Sequence, residues 1–333
     1  MKEKQSIPDI ARKVIKGAGV WLILLLLVVI LSVFSDKFLT YSNLINVLRQ
    51  NCVVGVTAVG LTFLILSGEI DMSAGVLANI AGCISALMMV NGVSVPLAII
   101  IGILAGVFVG FVNGIACTFL GVPAFITTLG MQYILNGFMY IITGGYPIIN
   151  LPESFLFLGR GYVFDVVPFP AIILLALTLI GAFVFKYTTF GRNVLSVGAN
   201  RTASALSGIN VKKTKILAFM VEGACCALAG LILTARIASG TPGSVTTLSL
   251  EGMTGVFVGG TTFMGTSMGL IGTLAGVLTL GVMKNGMNLI EISSYWQDIV
   301  LGVITISVVA YDGFRRIRVV KQGHRLSAQQ EKK

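Results

Sequence analysis

The sequence predicts an all-α polytopic membrane protein with about ten transmembrane helices. Of its 333 residues, 56% are hydrophobic and only 11% are charged, and the mean hydropathy is +0.95. Soluble domains carry about 25% charged residues. No residue from Met72 to Pro152 is charged, and several apolar spans of about 20 residues each produce such a stretch, whereas a soluble core does not. The 40 glycines suit helices that pack closely through small side chains.

The first half of the chain is predicted to cross the membrane five times. The spans lie at about 18–36, 52–68, 72–91, 94–118 and 124–143, with an amphipathic connector at 36–51. The first apolar run follows basic residues as a signal peptide does, but no small-x-small cleavage site follows it, so it is taken as a span. Asn91–Gly92 is the predicted turn before span 4, and Gly121–Val122–Pro123 separates spans 4 and 5.

The second half is predicted to hold five more spans. A loop at 144–167 precedes span 6 (168–186), a polar and basic loop fills 187–215, and span 7 covers 216–236. The charge-free run 252–283 is long for one span and short for two. Its Gly-rich middle could break the chain, so spans 8 and 9 are placed there and one of them is expected to be short or discontinuous. Span 10 (298–312) and a basic tail (313–333) end the chain.

The basic residues support an even number of crossings. Of the 23 Lys and Arg residues, 18 lie in 1–19, 186–215 and the segment after 312. Ten spans put these three segments on one side, and the positive-inside rule makes that side the cytoplasm. The net charge of +10 is therefore interpreted as a topology signal and not as a nucleic-acid surface. Spans 2–5 and 7–10 then have opposite orientations, which suggests an inverted repeat within a single transmembrane domain, 1–333.

Several chemical classes lack their motifs. The chain has no G-x-x-x-x-G-K-[ST], no H-E-x-x-H and no G-x-S-x-G, so no ATP, metal or cofactor site is expected on it. The one histidine, His324, lies in the basic tail. The five cysteines have neither metal-ligand spacing nor a disulfide framework and are interpreted as small buried residues: Cys52, Cys83, Cys117, Cys225 and Cys226.

Carboxylates near or within apolar spans are the first candidate site residues. Glu69 and Asp71 stand between spans 2 and 3. A cytoplasmic turn in which Asp71 caps span 3 is favoured over a role in transport. Glu222 falls inside span 7, where an ionisable group is a functional hypothesis by default. It could face a cavity, carry a proton or pair with a neighbour, and a structural pairing is an equal alternative.

Two further segments combine small and hydroxyl residues. In 113–130, Asn113, Phe125, Thr127 and Thr128 either face a pathway or belong to a plain helix–turn–helix. In 189–210, Asn200 suits the N-cap of a short helix of small residues that ends near Gly208. A short helix presented to the cytoplasm suits docking into a groove of a partner, and the alternative is a basic connecting loop.

Four ordered motifs resemble the permeases of ribose/xylose/galactose-type ABC importers, nearly end to end. They are Leu61–Gly75, Asn113–Gly130, Thr188–Val211 and the C-terminal pattern Gly272-Thr273-Leu274-x-Gly276…Asn285-Gly286-x-Asn288-Leu289…Ser294-Tyr295-Trp296-Gln297. The chain departs from the family pattern at Glu69, Ser249, Glu251 and Thr266, and Glu222 is not part of the pattern. These departures bear on the sugar carried and not on the transporter class.

The resemblance implies a bacterial inner-membrane permease with both termini in the cytoplasm and a fold similar to that of the vitamin B12 importer. It implies a homodimer, or a close heterodimer, in membrane lipid. Separate cytoplasmic ATPase subunits would bind ATP and Mg²⁺, and an extracytoplasmic sugar-binding protein would deliver the solute. The residues that would couple to the ATPase are Gly191, Arg192, Gly198, Asn200, Arg201, Ala203, Leu206, Ser207, Gly208 and Ile209. The expected pathway or gate residues are Glu69, Asp71, Asn113, Phe125, Thr127, Thr128, Glu222 and Asn285.

Two other function classes remain as alternatives. An ion-coupled secondary transporter could use Glu222 as a proton carrier, although the match of the 189–210 segment argues against it. An intramembrane enzyme lacks the residues that catalysis requires. The sequence does not specify the sugar, because the binding protein selects it.

Overall fold

The computed structural model is almost entirely helical, as the sequence predicts, and it describes residues 7–245, 247–263, 265–266 and 269–330. The helices are α1 (Ile7–Phe34), α2 (Tyr41–Leu66), α3 (Ala74–Val90), α4 (Val95–Phe119), α5 (Ala124–Thr143), α6 (Glu153–Arg160), α7 (Phe169–Tyr187), α8 (Thr189–Ala199), α9 (Arg201–Leu206), α10 (Val211–Ile237), α11 (Leu248–Val258), α12 (Leu270–Leu289) and α13 (Ser294–Gln330). Two short antiparallel hairpins pair β1 (Tyr162–Val163) with β2 (Val167–Pro168) and β3 (Thr261–Thr262) with β4 (Gly265–Thr266).

Ten of the described helices are apolar over all or part of their length. Seven are long and apolar enough to cross a membrane: α2, α4, α5, α7, α10, α12 and the first part of α13. Three shorter apolar helices, Gly19–Phe34, α3 and α11, complete the set. These ten helices correspond in order to the ten predicted spans, so the prediction of a polytopic all-α protein is confirmed.

The structure corrects four boundaries. The predicted connector at 36–51 is mostly part of α2, which begins at Tyr41 and continues without a break. The predicted loop at 187–215 is mostly helical, because α8 and α9 fill it. The predicted tail at 313–333 is helical to Gln330, as a continuation of α13. Span 8 corresponds to α11, which begins at Leu248, before the charge-free run 252–283. This helix has 11 residues and is about 16 Å long, half of a bilayer core of about 30 Å, so the expectation that span 8 or span 9 is short is confirmed.

Helix α10 lies at the centre of the bundle, in contact with α2, α3, α4 and α6. Helix α4 approaches it through glycines spaced four residues apart. A Cβ atom on Gly106 would meet the backbone of Gly223, and one on Gly110 would meet the carbonyl oxygen of Phe219. Small residues at this spacing let two helix backbones come close, which is the usual way that helices associate in lipid. The glycines of α4 therefore allow this helix to pack closely against α10.

Turn chemistry matches the sequence at the helix ends. Helix α3 ends at Val90 with Asn91 as its C-cap, and Gly92 has φ +87°, a left-handed conformation that glycine adopts at no steric cost. Gly121 (φ +69°) follows α4, and Pro123 precedes α5. The predicted breaks at 91–92 and 121–123 are confirmed. The inverted repeat and the likeness to the vitamin B12 importer fold stay predictions.

The bundle has a basic end and an opposite end. The basic end is the one at which α2 stops, α10 begins and α8 and α9 lie. The opposite end carries α6 and the β1–β2 hairpin, where Arg49 of α2 donates a hydrogen bond to the carbonyl oxygen of Arg160. The segment between α2 and α3, residues 67–73, belongs to the basic end and is called the α2–α3 connector.

Candidate functional site at the basic end

The α2–α3 connector carries a buried ion pair. The carboxylate of Glu69 accepts a hydrogen bond from Nη2 of Arg201 at 2.7 Å. It also pairs with the ammonium group of Lys215. Glu69 and Lys215 are both buried, whereas about half of the Arg201 side chain is exposed. One carboxylate therefore connects the connector to α9 and to the first turns of α10.

Helix α9 is a short, capped and exposed helix. The side chain of Asn200 accepts a hydrogen bond from the backbone N–H of Ala203 at 2.9 Å, and Gly208 (φ +82°) follows the last turn. The predicted cap and the predicted end are both confirmed. Leu206 is 86% exposed, and Ala203 is also exposed.

Two glycines hold α8 against the bundle. A Cβ atom on Gly198 would meet the carbonyl oxygen of Leu66, the last residue of α2, and one on Gly191 would meet the backbone of Val184 and Phe185. Both glycines are needed for the close approach of two backbones and not for flexibility. The remaining residues of the predicted coupling set lie at the surface or close to it: Arg192, Ser207 and Ile209.

A cavity of about 750 Å³ opens at this end of the bundle. Its lining comes from the connector, the start of α5, the α8–α9 junction and the β3–β4 hairpin: Gly68, Glu69, Ile70, Ala124, Phe125, Gly198, Ala199, Asn200, Arg201 and Phe263. The volume falls within the range of small-molecule sites, about 300–1,000 Å³. Of the predicted pathway residues, Glu69 and Phe125 line it.

Asp71 lies deeper than Glu69 and is fully buried. Its Oδ1 atom accepts hydrogen bonds from the backbone N–H (2.5 Å) and the hydroxyl (2.6 Å) of Ser73, and Oδ2 accepts one from Nδ2 of Asn113 at 3.3 Å. Burial raises the pKa of the Asp71 carboxyl, and the hydrogen bonds from Ser73 and Asn113 oppose that rise. The N-cap of α3 is Ser73 and not, as the sequence predicted, Asp71. The carboxylate of Asp71 accepts a hydrogen bond from the backbone N–H of that cap residue instead.

Glu222 is fully buried in the middle of α10. Its Oε1 atom accepts a hydrogen bond from the thiol of Cys226 at 2.8 Å, and its carboxyl group interacts with that of Asp71. It does not line the cavity at the basic end. The sequence left three alternatives for Glu222: facing a cavity, carrying a proton or pairing with a neighbour. The structure shows that Glu222 contacts a neighbouring side chain, Cys226.

The hydroxyl groups of α5 have different environments. Thr128 is fully buried, and its hydroxyl accepts a hydrogen bond from the backbone N–H of Met72 at 3.0 Å and donates one to the carbonyl of Ala124. Thr128 therefore fixes the connector to α5. Thr127 is half-buried. Asn113 supports Asp71 and Ser73 from α4.

Asn285 is not part of this site. It lies near the opposite end, where its amide and that of Asn43 exchange two hydrogen bonds of 2.9 and 2.7 Å between α12 and α2. A reciprocal amide pair satisfies both side chains in an apolar environment. The predicted set of pathway residues is thus divided between the two ends of the bundle.

Sequence reasoning missed two features. Ser249, noted only as a departure from a pattern, accepts a hydrogen bond from the N–H of Gly75 and donates one to the carbonyl of Met72, so it joins α11 to the connector. Lys284 donates a hydrogen bond to Glu251 at 2.7 Å beside a polar pocket of about 220 Å³. The pairing of Glu69 with Lys215 could have been inferred, because both residues were assigned to the same side of the membrane.

The five cysteines are free and buried, as predicted. Among the described residues, no group of three or more His, Cys, Asp or Glu side chains could hold a metal ion. His324 lies in the distal part of α13, outside the residues whose side chains the structure describes.

Known proteins match this chain over most of its length. Residues 43–309 match the family described as branched-chain amino acid transport system / permease component. The ribose import permease protein of Bacillus subtilis (strain 168) is 37% identical over 302 residues, covering 90% of this chain and 93% of the relative. The ribose import permease protein of Haemophilus influenzae is 35% identical over 318 residues, with 94% and 98% covered. No solved structure matches the chain.

More distant relatives have similar names. The xylose transport system permease protein of Haemophilus influenzae is 29% identical over 358 residues, covering 88% of this chain and 96% of the relative. The resemblance found from the four motifs is confirmed by these matches. They do not favour the alternative of an ion-coupled secondary transporter.

Proposed function

Because the chain belongs to the family of branched-chain amino acid transport system permease components, we propose that it is the membrane subunit of an ATP-driven importer for a monosaccharide, most specifically a pentose. One observation carries this proposal: relatives named for ribose import share 35–37% identity over 87–94% of the chain. The family description names branched-chain amino acids. The proposal of a sugar as the substrate therefore depends on the individual relatives, whose names state ribose import.

Partner subunits supply the energy in this proposal. The basic end is the cytoplasmic end, since the positive-inside rule assigns it there. Cytoplasmic ATPase subunits dock on α9, where Ala203 and Leu206 are exposed. The chain itself carries no catalytic reaction, and ATP with Mg²⁺ binds to the ATPase.

The contacts of the connector would transmit movement of α9 into the membrane. Gly198 packs directly on the end of α2, and Arg201 donates hydrogen bonds to both Gly68 and Glu69. Thr128 and Ser249 bind the backbone of Met72 on the far side of the connector. A displacement of α9 by the ATPase would therefore reach α5 and α11, which adjoin the connector.

The translocation pathway lies between two copies of the chain in this proposal. Helix α5 supports it, because α5 leaves polar groups on its surface: Tyr133 is 72% exposed and Tyr140 is 45% exposed. Polar groups inside a membrane are costly in lipid and usually face a partner or a water-filled path. An extracytoplasmic binding protein would deliver the sugar at the opposite end.

ATP hydrolysis in proteoliposomes tests the proposal. The chain is reconstituted with the ATPase and the binding protein of its importer, and hydrolysis is measured with ribose, xylose, arabinose or leucine. We expect hydrolysis and uptake to require all three components and to be stimulated by a pentose. Stimulation by leucine alone would contradict the substrate class. Uptake driven by an ion gradient without the ATPase would contradict the whole proposal.

A further inference from the structure

Two carboxyl groups meet in the interior of the bundle, away from any solvent. Asp71 comes from the α2–α3 connector and Glu222 from the middle of α10, and neither has exposed surface. Their side chains interact with each other. Two such groups cannot both be ionised at contact distance in a dry environment, because like charges repel strongly where water does not screen them.

Within the part of the chain that the structure describes, no cation pairs with either carboxyl group. The ion pairs there join Arg201 and Lys215 to Glu69 and Lys284 to Glu251. Lys215 lies two turns before Glu222 on α10 and is held by Glu69. The elements packed around the pair present uncharged groups: Ser73 of α3, Asn113 and Cys117 of α4, Cys225 and Cys226 of α10, and Gly60 of α2.

Of the four carboxyl oxygens of Asp71 and Glu222, one has no donor among the residues that the structure describes. Asp71 Oδ1 has two donors from Ser73, Asp71 Oδ2 has Asn113, and Glu222 Oε1 has the thiol of Cys226. Glu222 Oε2 is fully buried and has no partner. Buried polar atoms in folded proteins nearly always have a partner. A proton on one of the two carboxyl groups would supply it, because an O–H group donates to the neighbouring carboxylate.

We propose that Asp71 and Glu222 form a proton-binding site that holds a single proton between their two carboxyl groups. The proton satisfies Glu222 Oε2 and removes one of two like charges. The two groups titrate as a pair, so the proton belongs to the pair and not to one residue.

The site connects the protonation state to the surface that faces the ATPase. Asp71 lies two residues after Glu69, which binds Arg201 of α9. Loss of the proton places two negative charges in contact and drives the connector away from α10. Removal of the proton therefore loosens the connector on which α8 and α9 rest, and an alkaline cytoplasm weakens coupling. ATP hydrolysis on the partner remains the source of energy.

Infrared spectroscopy of the purified full-length chain tests the site. A protonated carboxyl group gives a C=O stretching band that a carboxylate lacks, and the band shifts in D2O. At neutral pH we expect one such band, which is lost in Glu222→Gln, because Asp71 keeps the donors of Ser73 and Asn113 and gains the amide N–H. In Asp71→Asn the band should persist at a shifted frequency, because a lone buried carboxyl group without a cation keeps its proton. The band should be unchanged in the control Glu153→Gln, which changes an exposed carboxylate on α6. In Cys226→Ala the band should persist at a shifted frequency, because the thiol no longer donates to Glu222.

Several results would overturn the proposal. No protonated band in the wild type, two bands, or one band that persists in Glu222→Gln would each contradict a single shared proton. Glu222→Gln keeps the size of the side chain and supplies an N–H donor to Asp71, so it tests the site even if Asp71→Asn does not fold. If the wild type shows no band and its melting temperature rises on addition of Na⁺ or K⁺ at constant pH, the site holds a metal cation instead.

Discussion

The Glu69 carboxylate and the Arg201 guanidinium form a 2.7 Å contact although 132 residues separate them in the chain. Lys215 binds the same carboxylate from α10. The two cations differ in exposure, since Lys215 is buried and Arg201 is half exposed. This difference sets the expected cost of removing each residue.

Removal of Glu69 should destabilise the protein far more than removal of Arg201. Glu69→Ala leaves the buried Lys215 without its counter-ion, which typically costs about 3–5 kcal/mol. Arg201→Ala removes a half-exposed partner and should cost less than about 1 kcal/mol. Thermal unfolding in detergent measures both effects. Equal losses in the two variants would mean that Lys215 does not depend on Glu69.

An arginine on the exposed face of α9 should prevent assembly with the ATPase without affecting the fold. Ala203 is exposed and its side chain makes no hydrogen bond, so Ala203→Arg is accommodated by the isolated chain. Co-purification with the ATPase measures assembly, and we expect a loss of at least about tenfold, which corresponds to about 1.4 kcal/mol.

The matched control for that variant is Ser154→Arg. Ser154 is an exposed residue of another short helix, α6, at the opposite end of the bundle. It should leave ATPase binding unchanged. Normal assembly by Ala203→Arg would mean that α9 is only a connecting element.

A methyl group at the α4–α10 contact should be harmful, whereas the same change in α5 should not. In Gly110→Ala the new Cβ atom meets the carbonyl oxygen of Phe219, and overpacking of this kind costs about 1–3 kcal/mol. In Gly137→Ala nothing lies within 4 Å of the new atom. That change should stabilise the helix by about 0.5–1 kcal/mol. If the melting temperatures of both variants shift in the same direction, the close approach of α4 and α10 is contradicted.

The contribution of Asp71 to stability should fall as the pH rises. Burial raises the pKa of this carboxyl in the folded protein. The protonated form is therefore the one that folding favours, so its contribution is fully present below the unfolded-state pKa of about 3.9 and is lost as the pH passes through the raised folded value.

The measurement is the melting temperature as a function of pH. Asp71→Asn should flatten the decline above the unfolded-state pKa of about 3.9, whereas the exposed control Glu153→Gln should retain it. If the melting temperature declines equally with pH in the wild type and in both variants, the decline comes from titratable groups other than Asp71.

The amide pair at the opposite end should show energetic coupling. Asn43 and Asn285 exchange two hydrogen bonds, so each single change to Ala removes both of them. Asn43 keeps only its hydrogen bond to the carbonyl oxygen of Phe38 when Asn285 is changed. A double-mutant cycle should give a coupling energy of about 1 kcal/mol. Sugar uptake should be retained in the double variant, because Asn285 lies outside the site at the basic end. Additive effects of the two changes would mean that the pair is not formed in the membrane.

Local sequence signals predicted much of the architecture. The number of apolar helices, the breaks at Asn91–Gly92 and Gly121–Pro123 and the cap at Asn200 were all predicted correctly. Each depends on the hydropathy or turn chemistry of one continuous stretch of about 20 residues or fewer, so one window of sequence contains the whole signal. The length of α2 was not predicted, because polar residues such as Asn43 and Arg49 interrupt the apolar pattern and find their partners on other helices.

Only the tertiary structure decided which charges are paired. Glu69 and Asp71 look alike in the sequence, two residues apart at the end of one span. Among the residues that the structure describes, Glu69 has two cations and Asp71 has none, but Glu222 lies beside Asp71. The sequence alone determined that the three carboxylates lie in or beside membrane spans, because the hydropathy of a span is the sum of the contributions of its own residues. Their partners come from helices distant in the chain, and the close glycine contacts of α4 and α8 set the positions of those helices.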